Sequence, residues 1–121
     1  MSPLYEKLIL VVEDNDAISD NLKDMLEVFG YRSAFVTNGK DALKVAFDLR
    51  PDLIIMDILL IGNLSGIDVA INLQNDCDIP IIFTPAGVSQ EMEKTASQLG
   101  TILRKPFGME DIMNAIKEAL G

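Results

Sequence analysis

The strongest constraint on the fold comes from three short runs of bulky apolar residues. Each run is rich in branched side chains, and none alternates apolar with polar residues as a half-exposed strand does. This pattern is typical of strands buried on both faces, which occur mainly in parallel sheets covered by helices. The runs are LILVV (8–12), LIIM (53–56) and IIF (81–83). Weaker patterns predict strands at SAFV (33–36) and TILR (101–104), the latter nearer an edge.

The segments between these strands carry apolar residues at the three- and four-residue spacing of amphipathic helices. We assign these apolar stripes, including Leu49, Met109 and the other methionines, almost entirely to core packing. Gly30 is a stop signal for the first helix, and Asn38 is a candidate N-cap for the second. The predicted helices cover residues 15–29, 38–49, 67–74, 88–99 and about 108–120.

Strand and helix therefore alternate five times, which predicts an α/β fold with a doubly wound parallel sheet and helices on both faces. A chain of 121 residues fits one domain, here taken as residues 1–121. No apolar run approaches the ~20 residues that span a bilayer, so we expect no membrane association. The N-terminus lacks the features of a signal peptide. The single cysteine, Cys77, is expected to be a structural residue near a turn and suits a reducing, cytoplasmic location.

The charge and the histidine content exclude several classes of function. The formal net charge is −9, which argues against binding of nucleic acid by this domain, because phosphate contacts require clustered Lys and Arg. The chain contains no histidine, so it has no His-based acid/base chemistry, no His metal ligands and no phosphohistidine of its own.

Charged residues stand where several of the predicted strands end. In a doubly wound sheet, ligands bind beyond the carboxyl ends of the strands. We therefore expect three carboxylates and one lysine to share this edge of the sheet. The strand ends are Glu13-Asp14, Asp57, Thr84-Pro85-Ala86 and Arg104-Lys105-Pro106.

Three clustered carboxylates need a cation or a raised pKa. At ~4 Å and an effective dielectric of ~20, one like-charge pair costs about 4 kcal/mol before screening. An all-oxygen cluster suits Mg²⁺, which would be held by Glu13 and Asp14. Asp57, beside that metal and Lys105, would be a nucleophile that forms an aspartyl phosphate. Each residue alone is better explained as a helix-start acid or a solvated charge, and their joint placement favours the site.

The chain resembles a bacterial response-regulator receiver domain along essentially its whole length. The resemblance is carried by the order and spacing of VVEDN (11–15), LIIMD (53–57), IPIIF (79–83) and RKPF (104–107). It implies a flavodoxin-like (βα)₅ fold with strand order 2-1-3-4-5. It also implies a signal receiver rather than an enzyme, phosphorylated by a sensor histidine kinase or a phosphotransfer protein.

The resemblance also implies roles for individual residues. Asp57 is the phosphoacceptor and Lys105 contacts the phosphoryl group. Mg²⁺ is bound by Glu13, Asp14, Asp57 and the backbone carbonyl of Leu59. The Lys105–Pro106 bond is expected to be cis.

The end of the fourth strand departs from the family pattern. Family members place a Ser or Thr five residues after the proline that opens this strand, followed by Ala. Counted from Pro80, that position is Pro85, followed by Ala86, and Thr84 comes one residue early. A one-residue shift turns a strand side chain to the other face, so we expect Thr84 to reach the phosphoryl group only after local rearrangement. The backbone N–H of Ala86 remains a candidate contact.

Two further departures concern the neighbouring segments. The family usually has Tyr or Phe three residues before the lysine as a rotamer switch, and here Ile102 stands there. The loop from Asp57 to Gly66 is one residue longer than the commonest form and has Ile61 in place of a frequent proline.

Alternative functions remain to be weighed against phosphoryl acceptance. A degenerate receiver that binds a partner in one constitutive state is supported by Pro85 and Ile102 and opposed by the intact acids and lysine. A flavin site would need a Ser/Thr/Gly-rich loop in place of EDNDAIS (13–19). A haloacid-type phosphatase would need an acid where Leu59 stands. The sequence is compatible with a stand-alone receiver and with one excised from a longer response regulator or hybrid kinase.

Overall fold

The computed structural model describes residues 7–121 and contains one five-stranded sheet surrounded by five helices. All neighbouring strands pair in parallel, in the order β2-β1-β3-β4-β5, which confirms the predicted fold and strand order. The strands are Leu8–Val12 (β1), Arg32–Val36 (β2), Leu53–Met56 (β3), Ile81–Phe83 (β4) and Thr101–Ile102 (β5). The helices are Asp16–Phe29 (α1), Gly39–Leu49 (α2), Gly66–Gln74 (α3), Gln90–Ser97 (α4) and Met109–Leu120 (α5).

The sheet separates two hydrophobic cores, as the non-alternating strands predict. One core joins alternate residues of the central strands to α2, α3 and α4. The other joins the intervening strand residues to α1 and α5. Within β3, for example, Ile54 and Met56 pack in the first core while Leu53 and Ile55 pack in the second. Successive residues of a strand thus face different helices, and the same alternation orients the side chains at the strand ends.

Local signals in the sequence account for four of the five helix starts and for the end of α1. The side chains of Asn15, Asn38, Ser65 and Ser89 each accept a hydrogen bond from a backbone N–H in the first turn of the following helix. Gly30 ends α1 at φ 86°, a left-handed conformation that glycine adopts at little cost. The predicted cap at Asn38 and stop at Gly30 are confirmed. Among the helices of residues 7–121, none is long and apolar enough to span a bilayer.

Two predicted elements are shorter than their sequence patterns indicated. Helix α4 covers Gln90–Ser97 rather than 88–99, because Ser89 caps it and places Val88 outside. Strand β5 covers only Thr101–Ile102 rather than 101–104.

The early end of β5 follows from Pro85, two residues past the end of the neighbouring strand β4. The ladder continues in one direction, with Leu103 N–H donating to Phe83 O at 2.8 Å and Lys105 N–H donating to Pro85 O at 3.0 Å. The return hydrogen bond to Leu103 O would have to come from residue 85, and proline has no N–H. The pairing beyond Ile102 is therefore only half formed.

The assignment of two apolar residues to the core is wrong. Leu49 and Met109 are both exposed. Leu49 is the last residue of α2 and Met109 the first of α5, so both stand at helix ends, past the part that the sheet covers. Cys77, in contrast, is buried after α3.

Gly66 at the start of α3 lies against the strand end that carries Asp57. Its N–H donates to Ile58 O at 2.7 Å, and a Cβ at this position would lie 2.2 Å from Asp57 O. The close approach requires the absence of a side chain, and it fixes the loop after β3 against α3.

We expect Gly66→Ala to lower the free energy of unfolding by about 3 kcal/mol, because the added methyl group clashes with backbone that has little room to move. Gly108→Ala is the matched control, since its Cβ would meet nothing closer than Asp111 Oδ2 at 3.6 Å. Urea unfolding of both variants measures the difference. A Gly66→Ala variant as stable as Gly108→Ala would contradict the close-approach argument.

Candidate functional site

The acidic residues at the strand ends are held in place by the sheet itself. Glu13 N–H donates to Val36 O at 3.1 Å, and Asp57 N–H donates to Val12 O at 3.0 Å. Each bond extends a parallel ladder one residue past the last strand residue. The backbone of both acids is therefore as rigid as the strands, and both side chains project at the carboxyl edge.

Lys105, in the segment after β5, brings a positive charge between these two acids. Its Nζ lies 2.6 Å from Glu13 Oε1 and 3.1 Å from Asp57 Oδ2. The Lys105 side chain is only 12% exposed, and the Lys105–Pro106 peptide bond is cis, as the family resemblance implied. The predicted convergence of Glu13, Asp57 and Lys105 is present in the structure.

Each of the two buried carboxylates has one oxygen held by a backbone N–H. Asn15 N–H donates to Glu13 Oε2 at 3.1 Å, and Ile58 N–H donates to Asp57 Oδ1 at 2.8 Å. The other oxygen of each carboxylate faces Lys105. Among the described residues, Glu13 Oε1 is the one buried side-chain oxygen or nitrogen without a hydrogen bond, although the Lys105 ammonium ion-pairs with it.

Burial and the lysine act in opposite directions on Glu13. Glu13 is 2% exposed, and this burial raises the pKa of its carboxyl above the usual value, while Lys105 and the Asn15 N–H oppose the rise. Burial alone would lower the pKa of Lys105. Glu13 and Asp57 outweigh that effect and raise the pKa of the ammonium above its usual value, so Lys105 is charged at neutral pH.

The oxygen-rich cluster fits a divalent cation. Glu13, Asp14 and Asp57 each offer one carboxylate oxygen, and these oxygens lie within 4.8 Å of one another. Asp14 is partly exposed, so it leaves a side of the cluster open to water. Few protein oxygens, an open side and an incompletely hydrogen-bonded Glu13 Oε1 match the preferences of Mg²⁺, which keeps several waters. Leu59 is exposed beside this cluster, and the role of its carbonyl stays a prediction.

The residues that depart from the family pattern lie at the end of β4. Thr84 N–H donates to Met56 O at 2.9 Å, which places Thr84 beside Asp57 across the sheet. Ile82 and Phe83 pack in opposite cores, so the side chains of Thr84 and Pro85 project from opposite faces. Both residues are buried.

The other two candidate positions are less buried. Ala86 is exposed, which leaves its N–H accessible, and its predicted contact stays a prediction. Ile102 is half-buried and packs against the core formed with α2, α3 and α4. The interpretation of Ile102 as a replacement for the family's aromatic switch stays a prediction.

Sequence reasoning did not identify the backbone donors of Asn15 and Ile58. The signal for Asn15 was available, because an Asn directly before a helical pattern predicts an N-cap, and its N–H then points back at the strand end. Ile58 offered no signal, since any non-proline residue supplies the same N–H.

A family model described as "Response regulator receiver domain" matches residues 9–117. The polar-differentiation response regulator DivK of Brucella anthropi is 34% identical over 120 residues, covering 95% of this chain and 97% of that protein. The DivK of Brucella ovis is 32% identical with the same coverage.

Solved structures of receiver domains are also similar to this chain. The signal receiver domain of a modulated diguanylate cyclase from Desulfovibrio desulfuricans is 33% identical with a TM-score of 0.86, covering 93% of this chain and 92% of that one. The receiver domain of a sensor histidine kinase from Pseudomonas aeruginosa is 29% identical with a TM-score of 0.84, covering 95% of this chain and 98% of that one. The latter was solved with a magnesium ion coordinated in its active site cleft.

The raised pKa of Glu13 predicts a pH dependence of folding. Between the ordinary pKa of 4.5 and the raised value, the folded protein holds a proton that the unfolded chain has lost. Unfolding then releases a proton, so this contribution to stability is present at low pH and is lost as pH rises through the folded pKa. Glu13→Gln cannot titrate, so the stability of wild type relative to Glu13→Gln should fall as pH rises.

Urea unfolding of both proteins in chelator-containing buffers from about pH 4 to pH 7 measures this difference. Glu27→Gln, an exposed site on α1, controls for the loss of one carboxyl charge. A relative stability that is flat or that rises with pH would show that burial does not dominate at Glu13.

Proposed function

This chain belongs to the response-regulator receiver family, and we propose that it receives a phosphoryl group on Asp57 as one step of a two-component phosphorelay. The observation that carries the proposal is the position of Asp57 Oδ2, 3.1 Å from Lys105 Nζ at the end of a central strand. The Ile58 N–H binds the other oxygen, Oδ1, and so orients the carboxylate, while Oδ2 faces the positive charge; Asp57 also belongs to a set of acids that could hold a cation.

The chemical step is an in-line phosphoryl transfer. A carboxylate oxygen of Asp57 forms the new P–O bond while the P–N bond of a phosphohistidine breaks. The electron pair of that bond leaves with the imidazole nitrogen of the donor. The donor belongs to a sensor histidine kinase or a phosphotransfer protein, since this chain has no histidine.

Lys105 stabilises the charge that develops on the phosphoryl oxygens. Its ammonium already contacts Asp57 and is charged at neutral pH, so little reorganisation is needed when a phosphoryl group arrives. Glu13, Asp14 and Asp57 would hold Mg²⁺, with Leu59 O as a further ligand, and the metal would supply the additional positive charge that phosphoryl transfer requires. The magnesium ion reported in the active site cleft of the related kinase receiver supports a magnesium site in this chain.

The cellular role follows from the same proposal. Residues 1–121 act as one receiver domain in the cytoplasm, a signalling module rather than an enzyme with its own substrate turnover. Its binding partners are the phosphodonor and an output domain or protein. The net charge of −9 opposes direct binding of nucleic acid by this domain.

The response to phosphorylation differs from the common family pattern. Pro85 replaces the hydroxyl that would contact the phosphoryl group, and Ile102 replaces the aromatic switch. The acceptor is therefore complete while the residues that sense it are altered. Pro85 and Ile102 also support a second candidate, a receiver fold that binds its partner in one constitutive state.

Incubation with Mg²⁺ and acetyl phosphate should add one phosphoryl group to the wild-type chain and none to Asp57→Asn. Intact-mass analysis detects the adduct. Asp48→Asn, an exposed site near the end of α2, is the matched control and should be modified as wild type is. An unmodified wild type, or an adduct on Asp57→Asn, would refute the phosphoacceptor assignment.

Restoring a hydroxyl at position 85 should strengthen binding of the phosphoryl mimic beryllofluoride. We expect Pro85→Thr to bind it about tenfold more tightly than Pro85→Ala, the gain typical of a hydrogen bond to a charged group. Both variants restore the N–H at position 85, so their comparison isolates the hydroxyl. Thr84→Val should bind as wild type does.

Fluorine NMR titration in the presence of Mg²⁺ measures these affinities. Equal affinities for Pro85→Thr and Pro85→Ala, or a large loss in Thr84→Val, would contradict the assignment of positions 84 and 85. Amide shifts of the wild type tell the two candidate functions apart, because a constitutive scaffold would show no response to beryllofluoride across residues 84–107.

A further inference from the structure

The two edges of the sheet differ in how they are protected against pairing with another chain. Strand β5 has only two residues, and such a short edge strand offers little for another strand to bind. Strand β2, at the opposite edge, has five residues, and no strand lies beyond it among residues 7–121. Its one charged residue, Arg32, stands at its start, and none of the five is a proline, so β2 lacks the usual features that block an edge.

The backbone groups of Ser33 and Phe35 form the open edge of β2. Arg32 N–H donates to Lys7 O at 3.1 Å, so the backbone of Arg32 faces β1. Successive residues of a strand direct their N–H and C=O groups to opposite sides, so those of Ser33 and Phe35 point away from the sheet. The edge therefore presents backbone donors and acceptors in register for one more strand.

This edge is complementary to itself. Two β2 strands placed antiparallel, with a two-fold axis at Ala34, set Ser33 of each copy opposite Phe35 of the other. Each such pair exchanges both of its N–H···O=C bonds, which satisfies the outward groups of both strands. The two Ala34 residues then face each other as a non-hydrogen-bonded pair, in which the Cα atoms approach to about 4.5 Å. A small side chain suits this close approach.

The groove along this edge contains one positive and one negative side chain. They are Lys23 and Glu27, both exposed on α1. Tyr31 and the exposed Leu49 add apolar surface to the same groove. The apolar side chain of Leu49, which the fold leaves uncovered, thus lies beside an uncovered strand edge.

The two-fold axis that pairs the strands also pairs these charges. Helix α1 ends where β2 begins, so distances along both can be counted from the same end of the sheet. The midpoint between Lys23 and Glu27 lies about 6 Å back along α1 from Phe29. Ala34 lies about 7 Å along β2 from the start of that strand. An axis through Ala34 is therefore level with this midpoint and brings Lys23 of each copy opposite Glu27 of the other.

The helices leave room for this arrangement. Helix α1 packs over β1 and β2. If the two β2 strands are about 4.8 Å apart, the two α1 helices lie roughly 10 Å apart on one face of the joined sheet, which is an ordinary packing distance for helices.

We propose that the open edge of β2 is a homodimer interface, at which two copies of this chain pair their β2 strands antiparallel into one continuous sheet. Such a contact uses the same surface on both copies and closes on itself, so it ends at a dimer. The interface does not include Asp57, so the inference goes beyond the proposed function and can fail while phosphoryl acceptance holds.

Sedimentation velocity of the full chain at physiological ionic strength tests for the dimer. The Debye length there is about 8 Å, so the net charge of −9 on each copy opposes association only weakly. We expect a monomer–dimer equilibrium that shifts toward the dimer as the protein concentration rises. A wild type that stays monomeric at about 1 mM would overturn the proposal.

Charge reversal tests the contact between the two α1 helices. Lys23→Glu places like charges opposite each other at both symmetric positions, so the dimer dissociation constant should rise about tenfold, and Glu27→Lys should have the same effect. The double variant Lys23→Glu/Glu27→Lys restores opposite charges and should dimerise as wild type does. Lys94→Glu, at an exposed lysine on α4 beside β5, controls for the change in net charge and should also dimerise normally. A double variant as weak as either single variant would overturn the two-fold pairing.

A proline substitution tests the strand edge itself. Ser33→Pro removes an outward N–H at an edge position where proline is tolerated, and Ser33→Ala keeps that N–H. We expect Ser33→Pro to be monomeric with the circular dichroism spectrum of wild type, and Ser33→Ala to dimerise. In wild type, hydrogen exchange at the Ser33 and Phe35 amides should slow as the concentration rises.

Two results at the strand edge would contradict the proposal. Undiminished dimerisation of Ser33→Pro would show that the copies meet at another surface. Slow exchange of the Ser33 and Phe35 amides at every concentration would show that something other than a second copy covers this edge. The charge-reversal series decides the question if Ser33→Pro fails to fold.

Discussion

The arrangement of charge at the carboxyl edge of the sheet depends on one constraint. A parallel sheet with this strand order brings the ends of β1 and β3 side by side, and the ladder bonds to Val36 O and Val12 O fix the backbones of Glu13 and Asp57 there. Two buried acids at this separation repel each other unless a cation lies between them. The Lys105 ammonium supplies this positive charge, since its Nζ contacts both Glu13 and Asp57. The positions of the two acids are therefore a consequence of strand order. Lys105 reaches both acids through its long side chain from the segment after β5.

Pro85, which stands where the family places a Ser or Thr, affects both the site around Asp57 and the pairing of the chain with β5. Pro85 changes two things at once: it removes a hydroxyl next to the acceptor and a backbone donor next to β5. The segment from Leu103 to Lys105 is consequently bound to β4 by donors from one side only. Lys105, which we propose contacts the phosphoryl group, belongs to this segment, so its backbone has fewer ladder bonds than that of β1 or β3. Because fewer backbone hydrogen bonds hold this segment, the position of Lys105 is more easily changed than that of Glu13 or Asp57.

The sequence was sufficient for the fold and for the identity of the acids and the lysine, and insufficient for their detailed contacts. Apolar runs that do not alternate identify a parallel sheet, and polar residues directly after them identify the edge where chemistry occurs. The early end of β5 was missed, because its cause is Pro85, just past the neighbouring strand β4, and not any residue within 101–104. The exposure of Leu49 and Met109 was missed because periodicity assigns a face to a residue and does not show how far along a helix the sheet extends. The sequence also did not show which carboxylate oxygen of Glu13 and Asp57 faces Lys105. That choice depends on which oxygen a backbone N–H binds, and almost every residue type has such an N–H.

The charges at this edge show what a divalent cation would add to the charge of Lys105. Glu13, Asp14, Asp57 and Lys105 together leave two formal negative charges, which one divalent cation neutralises. Converting Asp57 to an acyl phosphate replaces a singly charged group with one that carries up to two negative charges. The cation alone no longer balances the cluster, and the phosphoryl oxygens attract the ammonium of Lys105. With Lys105 and a divalent cation both counted, a phosphorylated cluster would carry up to one net negative charge, against none before phosphorylation.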